Sequence, residues 1–292
     1  METGDEMDDL VIKGTSIGWS WEKLEKDDTI LGCFLIHTMM SWKLYMDENV
    51  DKSNEEKRRE HGKITHALSG IQNDIHNLSI VINMLNELVD KLKLQSNDYN
   101  QHLLTLHASV LLETYFTNLR SIYDFCSTFI RIIVSDKYLK SMPASDSYNS
   151  LLKFIKKKTV VGVLPSIVIE ILRDNEQVFE TVKIVRDLII HKGEENLVNL
   201  NSDGTLCFTL YKNKQGTIIN MAPDILNTNQ TEYPIMKYLS VLTIRVMNFL
   251  DLFGRALFHF FEEIQGFQLP LWLTGLGGYC MTGFIAFLDE HA

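Results

Sequence analysis

From Glu55 to Leu94 the apolar residues recur at alternating spacings of three and four: Ile64, Leu68, Ile71, Ile75, Leu78, Val81, Ile82, Leu85 and Leu88. That period belongs to one face of an α-helix and predicts a single long amphipathic helix. After the interruption SNDYNQ, a second run from His102 to Val134 places Leu104, Leu111, Tyr115, Leu119, Ile122, Cys126, Phe129 and Ile133 on one side, with Asn118, Ser121 and Asp124 as polar groups along the same helix.

The remaining segments are shorter. Thr29 is positioned to cap a helix through ILGCFLIHTMMSWKLYM, whose nearly continuous apolar residues predict burial on most sides. SDKYLKSMPASDSYN reads as a loop, SLLKFIKKK as a short helix, and Pro165 as a break in the weaker apolar run that follows. A helix starts near Asn175, with Glu176 and Glu180 favourable against its positive end, and Gly193 supplies its stop. The period then shifts towards two. NLVNL, TLCFTLYKN and TIINM predict short antiparallel strands with a hairpin turn at Asp203-Gly204, and helical spacing returns from Ile235 to Ile264. The fold class expected is mainly α, a helical bundle with a small β-hairpin insertion near 197–220.

Charge and cysteine usage narrow the function classes. A formal net charge of −10 opposes non-specific nucleic-acid binding, so any nucleic-acid site has to be a local cluster. The densest basic run is Lys153 with Lys156, Lys157 and Lys158. Four scattered cysteines without a C-x-x-C pair argue against a cysteine zinc site, and the acidic start METGDEMDDL against a secretory leader, so a cytoplasmic location is expected. The run Leu269 to Leu288 carries no charge over twenty residues, but its four Gly, two Thr and one Pro and its acidic flanks favour packing on the bundle or a partner over a membrane span.

The stretch TVKIVRDLIIHKG, Thr181 to Gly193, concentrates the groups that phosphodiester chemistry uses. On a helical wheel Phe179, Val182, Val185 and Ile189 share an apolar face, while Lys183, Asp187 and His191 line up four apart. Arg186 and His191 fall roughly 140° apart, too far to grip one small target easily from one helix. Ile190 lies in the middle of the polar sector, which predicts that another helix or a second copy of the chain covers it. A looser Arg–His pair, Arg59 and His66, occurs in the charged stretch near the start of the long helix, as composition alone would produce.

VRDLIIHKG resembles the signature of the HEPN superfamily, in which an Arg, a polar residue and, a few positions on, a His close the third helix of a four- or five-helix bundle. Arg186, Asp187 and His191 fall on those positions, and the order of elements over about residues 98–265 is similar. The resemblance implies a HEPN-like bundle at 98–265; outside it, the sequence itself leaves an N-terminal helical region at 1–97, open to docking a regulator or sensing a signal, and an apolar C-terminal segment at 266–292 packed on the bundle or a partner. It implies a metal-independent endoribonuclease without cofactors, a toxin or antiviral effector acting as a homodimer with a composite site, with RNA as substrate and an antitoxin or regulator as a further partner. Gly193 stands where one subgroup has Tyr, so that subgroup's activities are not carried over. Some members are inactive binding modules, which makes a silent helical scaffold the alternative.

RNA cleavage of this kind needs the ribose 2′-hydroxyl to attack phosphorus, a group that moves a proton near neutrality, and charge stabilisation. The roles expected are proton transfer for His191, phosphate binding for Arg186, and orientation of the imidazole by Asp187. The helix C-terminus would favour the imidazolium of His191. Glu113, Asn118 and Asp124 are expected to position Arg186 from behind, and Lys183, Lys192, Lys156 and Lys157 to contact RNA.

Overall fold

The computed structural model describes residues 33–49, 55–94, 98–143, 147–157, 162–192, 196–214, 217–269, 284–288 and 290, with the side chains of Ile190, His191, Lys192 and residues 211–220 among those outside the description. The chain is mainly α-helical, as its periodicity predicts.

Helix α1 (Cys33–Asn49) buries Phe34, Leu35, Ile36, Met39 and Trp42, in keeping with its continuous apolar run. The cap expected at Thr29 lies outside the described residues. Helix α2 (Glu55–Leu94) is the long helix, on the order of 60 Å at 1.5 Å per residue, and all nine of its periodic apolar residues are buried. Helix α3 (Asp98–Phe129) runs back along it and tightens into a 3₁₀ turn at Ile130–Ile133. The two form a helical hairpin, and both arms bury side chains in one core.

A one-turn helix α4 (Asp136–Leu139) interrupts the segment expected to be a loop. Helix α5 (Tyr148–Ile155) follows, with Ser147 accepting the Ser150 amide at its start. Pro165 does break the apolar run, since the residues just before it are not helical. It opens helix α6 (Ser166–Asp174), because the fixed φ and missing N–H of proline cost nothing just before a first turn. Helix α7 (Glu176–Lys192) carries the Arg–Asp–His stretch, and its stop at Gly193 lies outside the described residues.

Strands β1 (Asn196–Leu200) and β2 (Leu206–Lys214) pair antiparallel from Asn196↔Leu210 to Leu200↔Leu206. The turn between them has Gly204 at φ 83°, the left-handed region that glycine tolerates. Strand β3 (Thr217–Asn220) continues the antiparallel sheet on β2, and the two-residue β4 (Tyr233–Pro234) pairs with Cys207 and Phe208.

Helix α8 (Ile235–His259), extended by a widened π turn at Phe260–Ile264, is buried along most of its length. It packs closely on α1. A side chain at Gly254 would run into the α1 backbone at Phe34 and Leu35, and Phe34 donates its amide to Asp251 Oδ1 at 2.9 Å. At the C-terminus Phe284, Phe287 and Leu288 are buried, and Ser240 Oγ donates to the Leu288 carbonyl at 3.2 Å. Among the described residues no helix is long and apolar enough to cross a membrane.

Candidate anion-binding cleft

Helix α7 is fixed to the bundle by its first turn. Asn175, one residue before it, donates from Nδ2 to the buried Tyr123 hydroxyl on α3 at 2.8 Å. Phe179 then enters an aromatic cluster, 4.8 Å from the Tyr148 ring and 5.3 Å from that of Tyr123. Val182, Val185, Leu188 and Ile189 complete the buried face, which leaves Lys183, Arg186 and Asp187 half-exposed. The wheel drawn from the sequence is therefore the face observed. Asp187 Oδ1 accepts from Arg186 Nη1 at 3.1 Å. The expected contact between Asp187 and His191, and the covering of Ile190, lie outside the described residues.

On the far side of Phe179 stands a residue the sequence did not single out. The Arg120 guanidinium carbon lies 4.4 Å over the Phe179 ring centroid, and Arg120 Nη2 pairs with Asp124 Oδ1 at 3.3 Å. Burial pulls this guanidinium down from its ordinary value; Asp124 and Asp187 oppose that pull, and the charge of Arg186 adds to it. Guanidinium groups keep their charge through such shifts. Arg120 Nη1 is buried and has no hydrogen-bond partner among the described residues. A half-buried, stacked cation with a donor to spare is suited to hold an anion.

Arg120 and Arg186 open onto one cleft of about 740 Å³. Its second wall is α2. Arg59, Lys63 and His66, exposed at spacings of four and three, present one face of that helix to the cleft. Four cations and one carboxylate, Asp124, line it, a local excess of three positive charges in a chain of net −10. Counting Asp187 behind Arg186 still leaves an excess of two. Arg59 also pairs with Glu55 at 3.5 Å, but both are exposed and such pairs hold little energy. The His66 ring meets the Phe125 ring edge-on, with centroids 6.0 Å apart.

The other expected site residues divide. Asp124 does stand beside the cleft cations, and its Oδ1 also accepts the Tyr148 backbone N–H at 2.9 Å. Asn118 ties the hairpin together instead, accepting from Asn77 Nδ2 at 3.3 Å and donating to the Thr114 carbonyl at 2.9 Å. Glu113 is half-buried two turns before Arg120, and burial pushes its carboxyl above the ordinary value. Lys183 pairs with Glu180 at 2.9 Å and Lys156 with Glu176, while Lys157 is exposed. The Lys192 side chain lies outside the description. Among the described residues no three His, Cys, Asp or Glu side chains are placed to hold a metal ion.

The chain matches no family model, no curated protein and no solved structure.

Proposed function

We propose that this chain is an endoribonuclease of the HEPN type that cleaves RNA by 2′-hydroxyl attack without a metal ion. One observation carries the reading: Arg186, the arginine of the resembling motif, opens onto a cationic cleft with Arg59, Lys63, Arg120 and His66. An acidic protein that brings four cations to one cavity has a local field there suited to a phosphodiester.

In the reaction the 2′-oxygen bonds to phosphorus as its proton leaves to a base. The P–O5′ bond breaks, and the 5′-oxygen takes a proton, leaving a 2′,3′-cyclic phosphate and a 5′-hydroxyl. Arg186 and Arg120 stabilise the charge that builds on the non-bridging oxygens. His191, in the last turn of α7, moves a proton, as an imidazole does near neutral pH. Asp187, bonded to Arg186, orients the phosphate ligand. A second copy of the chain, an antitoxin or other regulator, and a role as a toxin or antiviral effector belong to this reading through the family resemblance.

The test is cleavage of single-stranded RNA in EDTA by the full chain, Arg186→Ala and His191→Ala. The reading expects cyclic-phosphate ends from the wild type and loss of cleavage in both variants. Equal cleavage by all three, or none by the wild type, ends it.

A further inference from the structure

We infer that the start of α2 is the second wall of an RNA subsite within the same chain, where Arg59 and Lys63 hold backbone phosphates of a single strand and the His66–Phe125 ring pair takes a base. This rests on the reading of the cleft as an RNA site and assigns that site's substrate contacts. Arg59, Lys63 and His66 lie at positions i, i+4 and i+7 of α2, so they climb one face at steps of about 6 Å and 4.5 Å. All three are exposed and line the cleft that Arg120 and Arg186 line from the other side.

The mixture of groups favours a single strand. A duplex presents phosphates but keeps its bases stacked inside, whereas a single strand offers both phosphates and free base faces. Here the cations flank two rings already in contact, His66 and Phe125 at 6.0 Å, on the cleft surface. Phe125 is held against α2 because residue 70 is glycine, since a Cβ there would strike its ring. Gly62, between Arg59 and Lys63, leaves open space where a side chain would otherwise narrow the entrance. The pair Arg59 and His66, a spacing that composition alone would produce, thereby acquires a place beside Arg186.

The test is binding of a fluorescent 2′-O-methyl oligoribonucleotide, which has no free 2′-hydroxyl and survives contact with an active enzyme. Anisotropy is measured for the full chain, Arg59→Ala/Lys63→Ala, His66→Ala, and Lys91→Ala/Lys93→Ala. The last pair removes the same charge from exposed positions at the far end of α2. Because all these side chains are exposed, folding is expected to survive, and circular dichroism checks it. The inference expects the Arg59/Lys63 pair to weaken binding by about threefold or more beyond the Lys91/Lys93 pair, a loss of His66 to weaken it further, and a duplex of the same sequence to compete poorly. Equal weakening by the two lysine-containing pairs, or equal competition by the duplex, overturns it. Binding lost as expected with no RNA cleavage by the wild type would end the nuclease reading alone. Cleavage that needs Arg186 but ignores Arg59, Lys63 and His66 would end this inference alone.

Discussion

The guanidinium groups of Arg120 and Arg186 reach one cleft from two different helices, near enough that the charge of Arg186 disfavours that of Arg120. Like charges are brought together at a cost, which Phe179 under one and the carboxylates of Asp124 and Asp187 beside both reduce. A bound anion would remove the remainder.

Arg120 also holds α3 to α7. Arg120→Ala is expected to lower stability by roughly 1–3 kcal/mol, through loss of the stack on Phe179 and a partner lost to Asp124. Arg120→Lys should recover only part, because an ammonium keeps the charge and not the plane. Urea denaturation of the three proteins measures this; a lysine variant as stable as wild type would show that charge alone matters.

Binding of a single strand should depend on salt through the local charge excess. With two to four phosphates neutralised, log K is expected to fall against log salt with a slope of about −2, and removal of each cleft cation should flatten it by about 0.7. A slope near zero would mean that the cations do not meet phosphates.

Two glycines should respond in opposite directions. Gly62→Ala fits open space within a helix and is expected to stabilise by about 0.5–1 kcal/mol. Gly254→Ala would force α1 and α8 apart and should destabilise by about 1–3 kcal/mol or more. Thermal melts of both variants give the two signs.

Asp74, buried in the hairpin, has its carboxyl raised by burial, with a Ser121 hydrogen bond lowering it in part. A carboxyl raised on folding favours the folded state below its unfolded pKa, and that contribution is lost as pH rises through the folded value. At neutral pH the ionised group is therefore a burden. Asp74→Asn should gain melting temperature relative to wild type between pH 4 and pH 7; a gap that does not grow would refute the sign.

The thiols of Cys126 and Cys207 are buried, and burial raises both, that of Cys207 up to about 11 with help from the charges of Glu232 and Asp203. Thiolate is the reactive form, so neither should label with iodoacetamide at pH 8 until the chain is unfolded. Peptide mapping by mass spectrometry reads the two sites separately.

The helices were legible wherever one face alone is apolar: Glu55–Leu94 and the Phe179–Ile189 face follow from spacing, and so do Ile235–Ile264 and the Asp203-Gly204 hairpin. Pro165 marks a break in the apolar run, but that the residues after it form helix α6 is not legible there, because proline both breaks a helix interior and suits a helix start. Arg120 was hidden because a cation in a long amphipathic helix looks like solvent-facing charge. Its i+4 carboxylate, Asp124, was the signal available. That Arg59 and His66 line one cleft with Arg186 depends on how the hairpin packs against α7, which no local spacing encodes.

Asp124 is shared between Arg120 and the first amide of α5. The amide proton of Tyr148 is thus one carboxylate removed from the cleft, in a residue whose side chain faces the aromatic core. An anion that draws Arg120 towards itself leaves Asp124 to hold that amide more tightly. Slower exchange of the Tyr148 proton with deuterated solvent would then report occupancy of the cleft from the back of its wall.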